Sequence, residues 1–286
     1  MLELIRENKV ASIIILCAVV FITAFVIYAL ISSKRITKSS IFVKADIGTK
    51  LKIVHISDFH NAKFRNNNEK LLTLIKDTSP DIIAITGDLI DSRHTNVRVS
   101  IQFVSELAKI APCYYVAGNH ESRMEKEFSE LKEALLNLNV TILCDSIAKY
   151  EKDKEVFTII GIEDPMFVLK KDSLERAREV ISKKLSPLAS ENDGYKIVLC
   201  HRPEAFEEYV KADIDLALTG HAHGGQVRIP FIGGLISPNQ GFFPKYTEGL
   251  HQKSKTSMIV SRGIGNSLCP VRVNNPPEIV SIEISK

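Results

Sequence analysis

Asp81-Ile82-Ile83-Ala84-Ile85-Thr86-Gly87-Asp88-Leu89-Ile90-Asp91 opens as a short, branched, apolar run and carries two carboxylates near its end. The run 81–85 reads as a strand buried on both faces. Such a strand delivers its functional groups at its carboxyl end, where the sheet opens onto loops. Gly87 lets the backbone turn sharply there, and Asp88 is the first charged side chain beyond it. Its two oxygens can hold two cations at once, and the rest of the chain would then supply the remaining ligands of such a pair.

Upstream, Leu51-Lys52-Ile53-Val54-His55-Ile56 reads as a strand followed by Ser57-Asp58-Phe59-His60. Asn68 is placed to cap a helix to Thr78, with Leu71, Leu72, Leu74 and Ile75 as its apolar face. Downstream, a helix over 98–110 leads into the strand Cys113–Ala117, which ends in Gly118-Asn119-His120-Glu121, and a helix is expected over 121–138. Strands near 141–143 and 157–162 and a charged helix over 173–185 follow. Tyr195–Cys200 is a strand ending in His201-Arg202-Pro203, and Asp215–Thr219 is another ending in Gly220-His221-Ala222-His223. The tail is rich in turns, with strands near 258–261 and 279–284. Strand–helix alternation early and strand-rich sequence late predict an α/β fold, a two-sheet sandwich flanked by helices.

Five of these strands end in polar groups: Asp58/His60, Asp88, Asn119/His120, His201 and His221/His223. Taken singly, a strand-end Asp caps a helix or forms a turn, and a lone His packs in a core or sits on the surface. Jointly those readings fail, because five of the eight histidines fall in these loops. His55 lies inside a strand and reads as core; His94 is open between surface and substrate contact, and His251 reads as surface. Carboxylate, amide and imidazole donors without thiolate suit Mn, Fe, Co, Ni or Zn. No Gly-rich phosphate loop and no Ser or Cys nucleophile motif is present, which leaves water as the nucleophile.

The blocks Asp58-Phe59-His60, Gly87-Asp88-Leu89-Ile90-Asp91, Gly118-Asn119-His120-Glu121, His201 and Gly220-His221-Ala222-His223 stand in an order that resembles the calcineurin-like metallophosphoesterase superfamily, over essentially all of 51–286. The resemblance implies an αββα fold and two divalent ions. Asp58, His60 and His223 would hold one, Asn119, His201 and His221 the other, with Asp88 bridging. His120 matches the family's catalytic histidine, which binds no metal and protonates the leaving oxygen or stabilises phosphoryl charge. Glu121 stands where many members have Asp and could hydrogen-bond His120; Asp91 would orient a ligand. Phe59 replaces a common Leu, a packing change. Physically, two such cations acidify a water and clamp the phosphoryl oxygens, while His120 assists the departing group.

Val10 to Ile31 contains no charge, and at ~1.5 Å per residue a helix of this length spans about one bilayer core. A cleaved signal peptide has a shorter apolar region and a small-residue cleavage site, and a buried soluble helix is a poor fit so near the N-terminus. The division expected is a tail over 1–9, a transmembrane helix over 10–32, a polar linker over 33–50 and a catalytic domain over 51–286. Arg6 and Lys9 flank one side of the span, and Lys34, Arg35 and Lys38 the other, which leans towards a cytoplasmic catalytic domain.

The anchor, Gly220–Gln226, Gln240–Tyr246 and Ser261–Asn266 resemble a membrane-associated bacterial phosphodiesterase branch, related to enzymes that cleave the pyrophosphate of UDP-2,3-diacylglucosamine. That implies a phosphodiester or pyrophosphate substrate, membrane-associated or lipid-linked. The loop 231–246, with Phe242, Phe243 and Tyr246 near Lys245, reads either as a lipid-meeting surface or as an ordinary packed loop. Arg202, Arg228 and Arg262 read either as phosphate contacts or as surface charges. A net charge of +3, with no Lys/Arg stripe interleaved with aromatics, gives no case for nucleic acid, and no protein partner is predicted. The five cysteines (17, 113, 144, 200, 269) lack CxxC spacing and read as buried free thiols. A non-catalytic metal-binding scaffold of the same fold would lack a ligand or the catalytic histidine, and a nucleic-acid phosphodiesterase would show a basic face and no anchor; a phosphodiesterase acting on soluble nucleotides is the other alternative.

Overall fold

The computed structural model describes residues 2–66, 68–266 and 272–286, with side chains from Val10 onward. Cys269 and the side chains of Arg6 and Lys9 lie outside the described residues. Helix α1 (Leu2–Ser32) is apolar and solvent-exposed over most of Val10–Ser32, long enough to cross a membrane. Its end meets the fold, where Ala29 and Ser32 are buried and the Tyr28 hydroxyl donates to Asn274.

The chain then forms β1 (Thr37–Lys44), β2 (Leu51–Ile56), α2 (Glu69–Lys76), β3 (Ile82–Thr86), α3 (Val97–Leu107), β4 (Cys113–Val116), α4 (Glu125–Asn137) and β5 (Thr141–Ile142). It continues through β6 (Ser146–Lys152), β7 (Glu155–Ile162), α5 (Leu174–Ser190), β8 (Tyr195–Cys200), α6 (Phe206–Lys211) and β9 (Leu216–Thr219). Two short hairpins follow, β10 (Arg228–Ile229) with β11 (Gly233–Gly234) and β12 (Ile236–Ser237) with β13 (Gly241–Phe242). Strands β14 (Gly249–Lys253), β15 (Thr256–Val260) and β16 (Glu278–Ser285) complete the fold.

The strands make two six-stranded sheets, ordered β1-β16-β2-β3-β4-β5 and β14-β15-β9-β8-β7-β6. Their facing surfaces bury Ile53, Ile82, Val116, Phe157, Ile197, Leu218 and Ile282 in one apolar layer. Helices α2, α3 and α4 cover the outer face of the first sheet through Leu71, Ile75, Phe103, Val104, Leu131 and Leu135. Helices α5 and α6 cover the second through Ile181, Leu185, Phe206 and Tyr209. The two-sheet α/β sandwich is therefore as the element pattern predicts. Burial on both faces explains why β3, β4 and β9 are continuous apolar runs.

Five details differ from the sequence reading. The polar linker holds β1, an edge strand parallel to β16 whose residues alternate between half-buried and exposed. Only Ile41 and Val43 mark its inner face, and exposed Lys38 and Lys44 suit an open edge. Asn68 does not cap α2 with its side chain, which accepts from the Phe64 N–H at 2.7 Å instead. The helix expected from Glu121 begins at Glu125, after a single 3₁₀ turn. Helix α5 runs past Pro187 to Ser190. Of the cysteines, 113 and 200 are buried free thiols as read, 144 is half-buried, and 17 is exposed on α1.

Candidate metal centre

Strands β2, β3 and β4 of one sheet and β8 and β9 of the other bring their carboxyl ends to one rim, where every strand-end residue singled out above is buried. The turns there need unusual backbone. Asp58, His60, Asp88, His221 and His223 all have φ between 47° and 65°, a region few non-glycine residues occupy outside functional sites. Glycine makes room for them at Gly118, where an added Cβ would stand 2.2 Å from Asp88 Oδ1.

Two groups of donors meet around Asp88. Asp58, His60 and His223 form one, and Asp88, His201 and His221 the other; within each, the candidate ligand atoms lie within 4.8 Å of one another. Asp88 Oδ2 is 3.1 Å from His201 Nε2 and 3.6 Å from His60 Nε2, so it stands between them. His60 Nε2 and His223 Nε2 are 3.3 Å apart, and His223 Nε2 is 3.3 Å from Asp58 Oδ1.

The donor set fits divalent cations on three observations. His201 donates Nδ1–H to the Thr86 carbonyl at 2.7 Å, so its buried Nε2, without a hydrogen-bond partner, is the nitrogen that a cation would take in exchange for its proton. Asn119 Oδ1 is likewise buried and unpartnered, a costly state for an amide oxygen unless a ligand meets it. Burial pushes His60 and His223 down to about 3, so both are neutral ligands at physiological pH. At His201 burial acts the same way, but the Asp88 and Asp58 carboxylates outweigh it and push the imidazole up to about 10. The field that holds a proton there also attracts a cation. Burial opposes ionisation of Asp88, yet His201 and His120 hold it well below the usual carboxylate range.

His120 stands at the edge of this cluster, Nε2 4.0 Å from Asp88 Oδ2. Its Nδ1 accepts the Ser92 N–H at 3.0 Å, which puts the ring proton of the neutral form on Nε2, the nitrogen nearer Asp88. Asp91 Oδ1 lies 3.5 Å from Nδ1 while accepting the Arg93 N–H at 2.8 Å. Glu121 does not bond His120. Its carboxylate accepts the backbone N–H groups of Asp88 (2.9 Å), Ile90 (3.1 Å) and Gly118 (2.8 Å). The turns at Gly87 and Gly118 leave those donors without strand partners, and the buried carboxylate satisfies them. Burial, then Asp88, pushes Glu121 up to about 7.

The three arginines are all committed to carboxylates. Arg202 is fully buried and fits neither reading made for it: Nε and Nη2 bind Asp164 at 2.5 and 2.9 Å, and Nη1 meets Asp172 at 3.0 Å and Glu204 at 3.3 Å. Nη1 also lies 3.1 Å from His221 Nε2, and Asn239 Nδ2 lies 3.2 Å from the same nitrogen. Arg228 pairs with Glu248, and Arg262 with Glu278. His55 is core, bonded to Thr86 Oγ1 at 2.7 Å; His94 is exposed; His251 is half-buried against Tyr246 rather than free on the surface.

Sequence reading missed Asp164, Asn239 and Arg272. Asp164 follows the end of β7 just as Asp58 follows β2, a signal that was there to use. Arg272 is buried with Nη2 3.4 Å from His223 Nδ1, in a stretch with no periodicity to announce it.

Residues 51–225 match the calcineurin-like phosphoesterase family. The uncharacterized metallophosphoesterase YkoQ of Bacillus subtilis (strain 168) is 29% identical, the match covering 82% of this chain and 84% of the relative. Phosphodiesterase YaeI of Escherichia coli (strain K12) is 28% identical, with 84% of each chain covered. A transmembrane protein with metallophosphoesterase domain from Danio rerio is 26% identical over 82% of this chain and 53% of its own length. Among solved structures, TT1561 of Thermus thermophilus shares the fold, with a TM-score of 0.52 and 16% identity over 75% of this chain and 90% of that one. With a buried donor cluster at the rim where the matched segment ends its strands, the chain belongs to the calcineurin-like phosphoesterase family and is a metal-dependent phosphoester hydrolase.

Proposed function

We propose that this hydrolase cleaves a phosphodiester or pyrophosphate bond of a lipid-linked substrate, with water as nucleophile, at the membrane crossed by α1. The observation that carries the chemistry is Asp88 standing between two buried donor groups, with His201 Nε2 and the neighbouring Asn119 Oδ1 buried and without a hydrogen bond. Asp58, His60 and His223 would hold one divalent ion, and Asn119, His201 and His221 the other, with Asp88 standing between the two groups. When bound, the ions (Mn, Fe, Co, Ni or Zn) supply Lewis acidity towards the phosphoryl oxygens and acidify a water. His120 gives its Nε2 proton to the departing oxygen, and the Ser92 N–H on Nδ1 holds its ring in that orientation. The glycine-lined turns hold these groups in place before substrate arrives. The membrane part rests on the apolar span, on a relative named as transmembrane, and on exposed Lys34 and Arg35, whose charges favour a cytoplasmic catalytic domain.

The test is hydrolysis of bis-p-nitrophenyl phosphate against the mono-ester by the full chain in detergent, metal-free and then with each metal restored. A chain cut at residue 40 would lose half of β1 and is avoided. Metal-dependent turnover of the diester is expected, followed by turnover of a lipid pyrophosphate. Bound metal without turnover of any phosphoester would convert the site to a scaffold, and a preference for soluble nucleotide diesters would remove the lipid assignment.

A further inference from the structure

The anchor and the metal cluster share one rim. In the first sheet Thr37 lies opposite Glu278, and Val280 opposite His55 in the antiparallel pairing of β16 with β2. Thr37 therefore stands level with the loop that leaves β2 carrying Asp58 and His60, not at the other end of the sheet. Helix α1 ends at Ser32, so it enters the fold beside those ligands. Ser33 Oγ accepts the Arg272 N–H at 2.7 Å, and the Arg272 guanidinium lies 3.4 Å from His223 Nδ1. One residue joins the end of the span to a candidate metal ligand.

The two hairpins that follow His223 lie on this side as well. Asn274 donates to the Arg228 carbonyl at 3.1 Å at the base of the first hairpin, and accepts from the hydroxyl of Tyr28. Tyr28 is one turn, ~6 Å, inside the end of the span, the depth at which tyrosine sits in membrane interfaces. Asn239, in the second hairpin's turn, reaches His221 Nε2. Between these ties the hairpins present Phe231 (109% exposed), Ile232 (63%), Phe242 (71%) and Phe243 (63%) to solvent. Phe231 and Phe243 are held at φ of 66° and 52°, a conformation costly for a bulky residue. Exposed Lys34, Arg35 and Lys38 lie at the junction of α1 and β1 on the same rim.

Large apolar side chains clustered on a surface mark an interaction site. Here they continue from a span, are aromatic, and share their rim with cations, which is the chemistry of an anionic bilayer surface rather than of a protein groove. We propose that the tips around Phe231–Ile232 and Phe242–Phe243 seat in the headgroup–acyl boundary of the bilayer that α1 crosses. The metal rim then faces that bilayer and takes its phosphoester at headgroup depth. This rests on reading α1 as a membrane span.

The chain contains no tryptophan, so Phe231→Trp and Phe242→Trp each give a single reporter. Both replace exposed aromatics outside the donor cluster. Val156→Trp, near the start of β7 and so at the opposite end of the sheets, is the control. Each full-length variant is placed in nanodiscs of phosphatidylglycerol and phosphatidylcholine, with and without brominated acyl chains. Blue-shifted emission and loss of intensity to bromine at 231 and 242, absent at 156, is the expected result. Emission at 231 and 242 as water-exposed as at 156 overturns the proposal. So does burial that follows chain concentration rather than lipid, which would assign the patch to a second copy. Failure of the chain to co-elute with the discs would remove the span itself, and the proposal with it, while diester hydrolysis in detergent reads the chemistry separately.

Discussion

Asp164→Asn probes the buried network behind His221. Arg202 and Asp164 are both fully buried, joined by two hydrogen bonds of 2.5 and 2.9 Å. Removing one partner of a buried ion pair costs about 3–5 kcal/mol, because the other charge stays in low dielectric. Here Asp172 and Glu204 remain on Nη1, and asparagine keeps one acceptor, so the low end, about 3 kcal/mol, is the expected loss. For a domain of this size that lowers Tm by roughly 6–12 °C. A second effect is local: with the guanidinium free to shift from His221 Nε2, metal affinity falls about 10–100-fold, as for other groups that orient a ligand. Arg202→Met, which strands Asp164 and Glu204 without a cation, is the more damaging change. The assay is thermal unfolding of the full chain in detergent, metal-free and loaded, beside calorimetric metal titration. A loss below about 1 kcal/mol in both variants, the range of an exposed ion pair, would refute the energetics. A lowered Tm with unchanged metal affinity would refute the link to His221.

His120→Ala lowers turnover by about 10²–10⁴-fold with metal content intact, whereas Asp88→Asn loses metal and turnover together; metal analysis beside the diester assay separates them. Gly118→Ala drives a Cβ to within 2.2 Å of Asp88 Oδ1, so metal binding weakens although no ligand is changed, and a normal titration curve would sink that reasoning. In chelator-treated protein, His201 is raised to about 10 from an ordinary value near 6.5. Its stabilising charge is fully present below pH 6.5 and is lost as the pH rises towards 10, so Tm falls across that window. His201→Asn flattens that slope, and an equally steep fall in the variant would exclude the assignment.

The candidate site was legible because its residues sit at strand ends, where a short apolar run hands over to Gly, Asp, Asn or His and the spacing survives without tertiary context. Asp58, Asp88, His201 and His221 could all be placed that way. What the sequence hid depends on long-range pairing. Strand β1 is half polar and exists because β16, at the far end of the chain, offers it an edge. The partner of Glu121 was misread because three backbone donors, invisible in a list of side chains, compete better than His120. Arg202 looked free because the carboxylate that neutralises it most directly, Asp164, lies 38 positions away.

The position of β16 between β1 and β2 also governs when the protein can fold. During synthesis α1 and β1 emerge early, and the strand that joins β1 to the rest of its sheet is made more than two hundred residues after them. Until then β2 presents an open, apolar edge, and β1 has no neighbour at all. Pairings across such sequence separations are slow to form. The nascent domain therefore spends its elongation as a tethered, incomplete sheet, in the interval when aggregation or chaperone capture competes with folding. A translational pause before codon 278 would lengthen that interval.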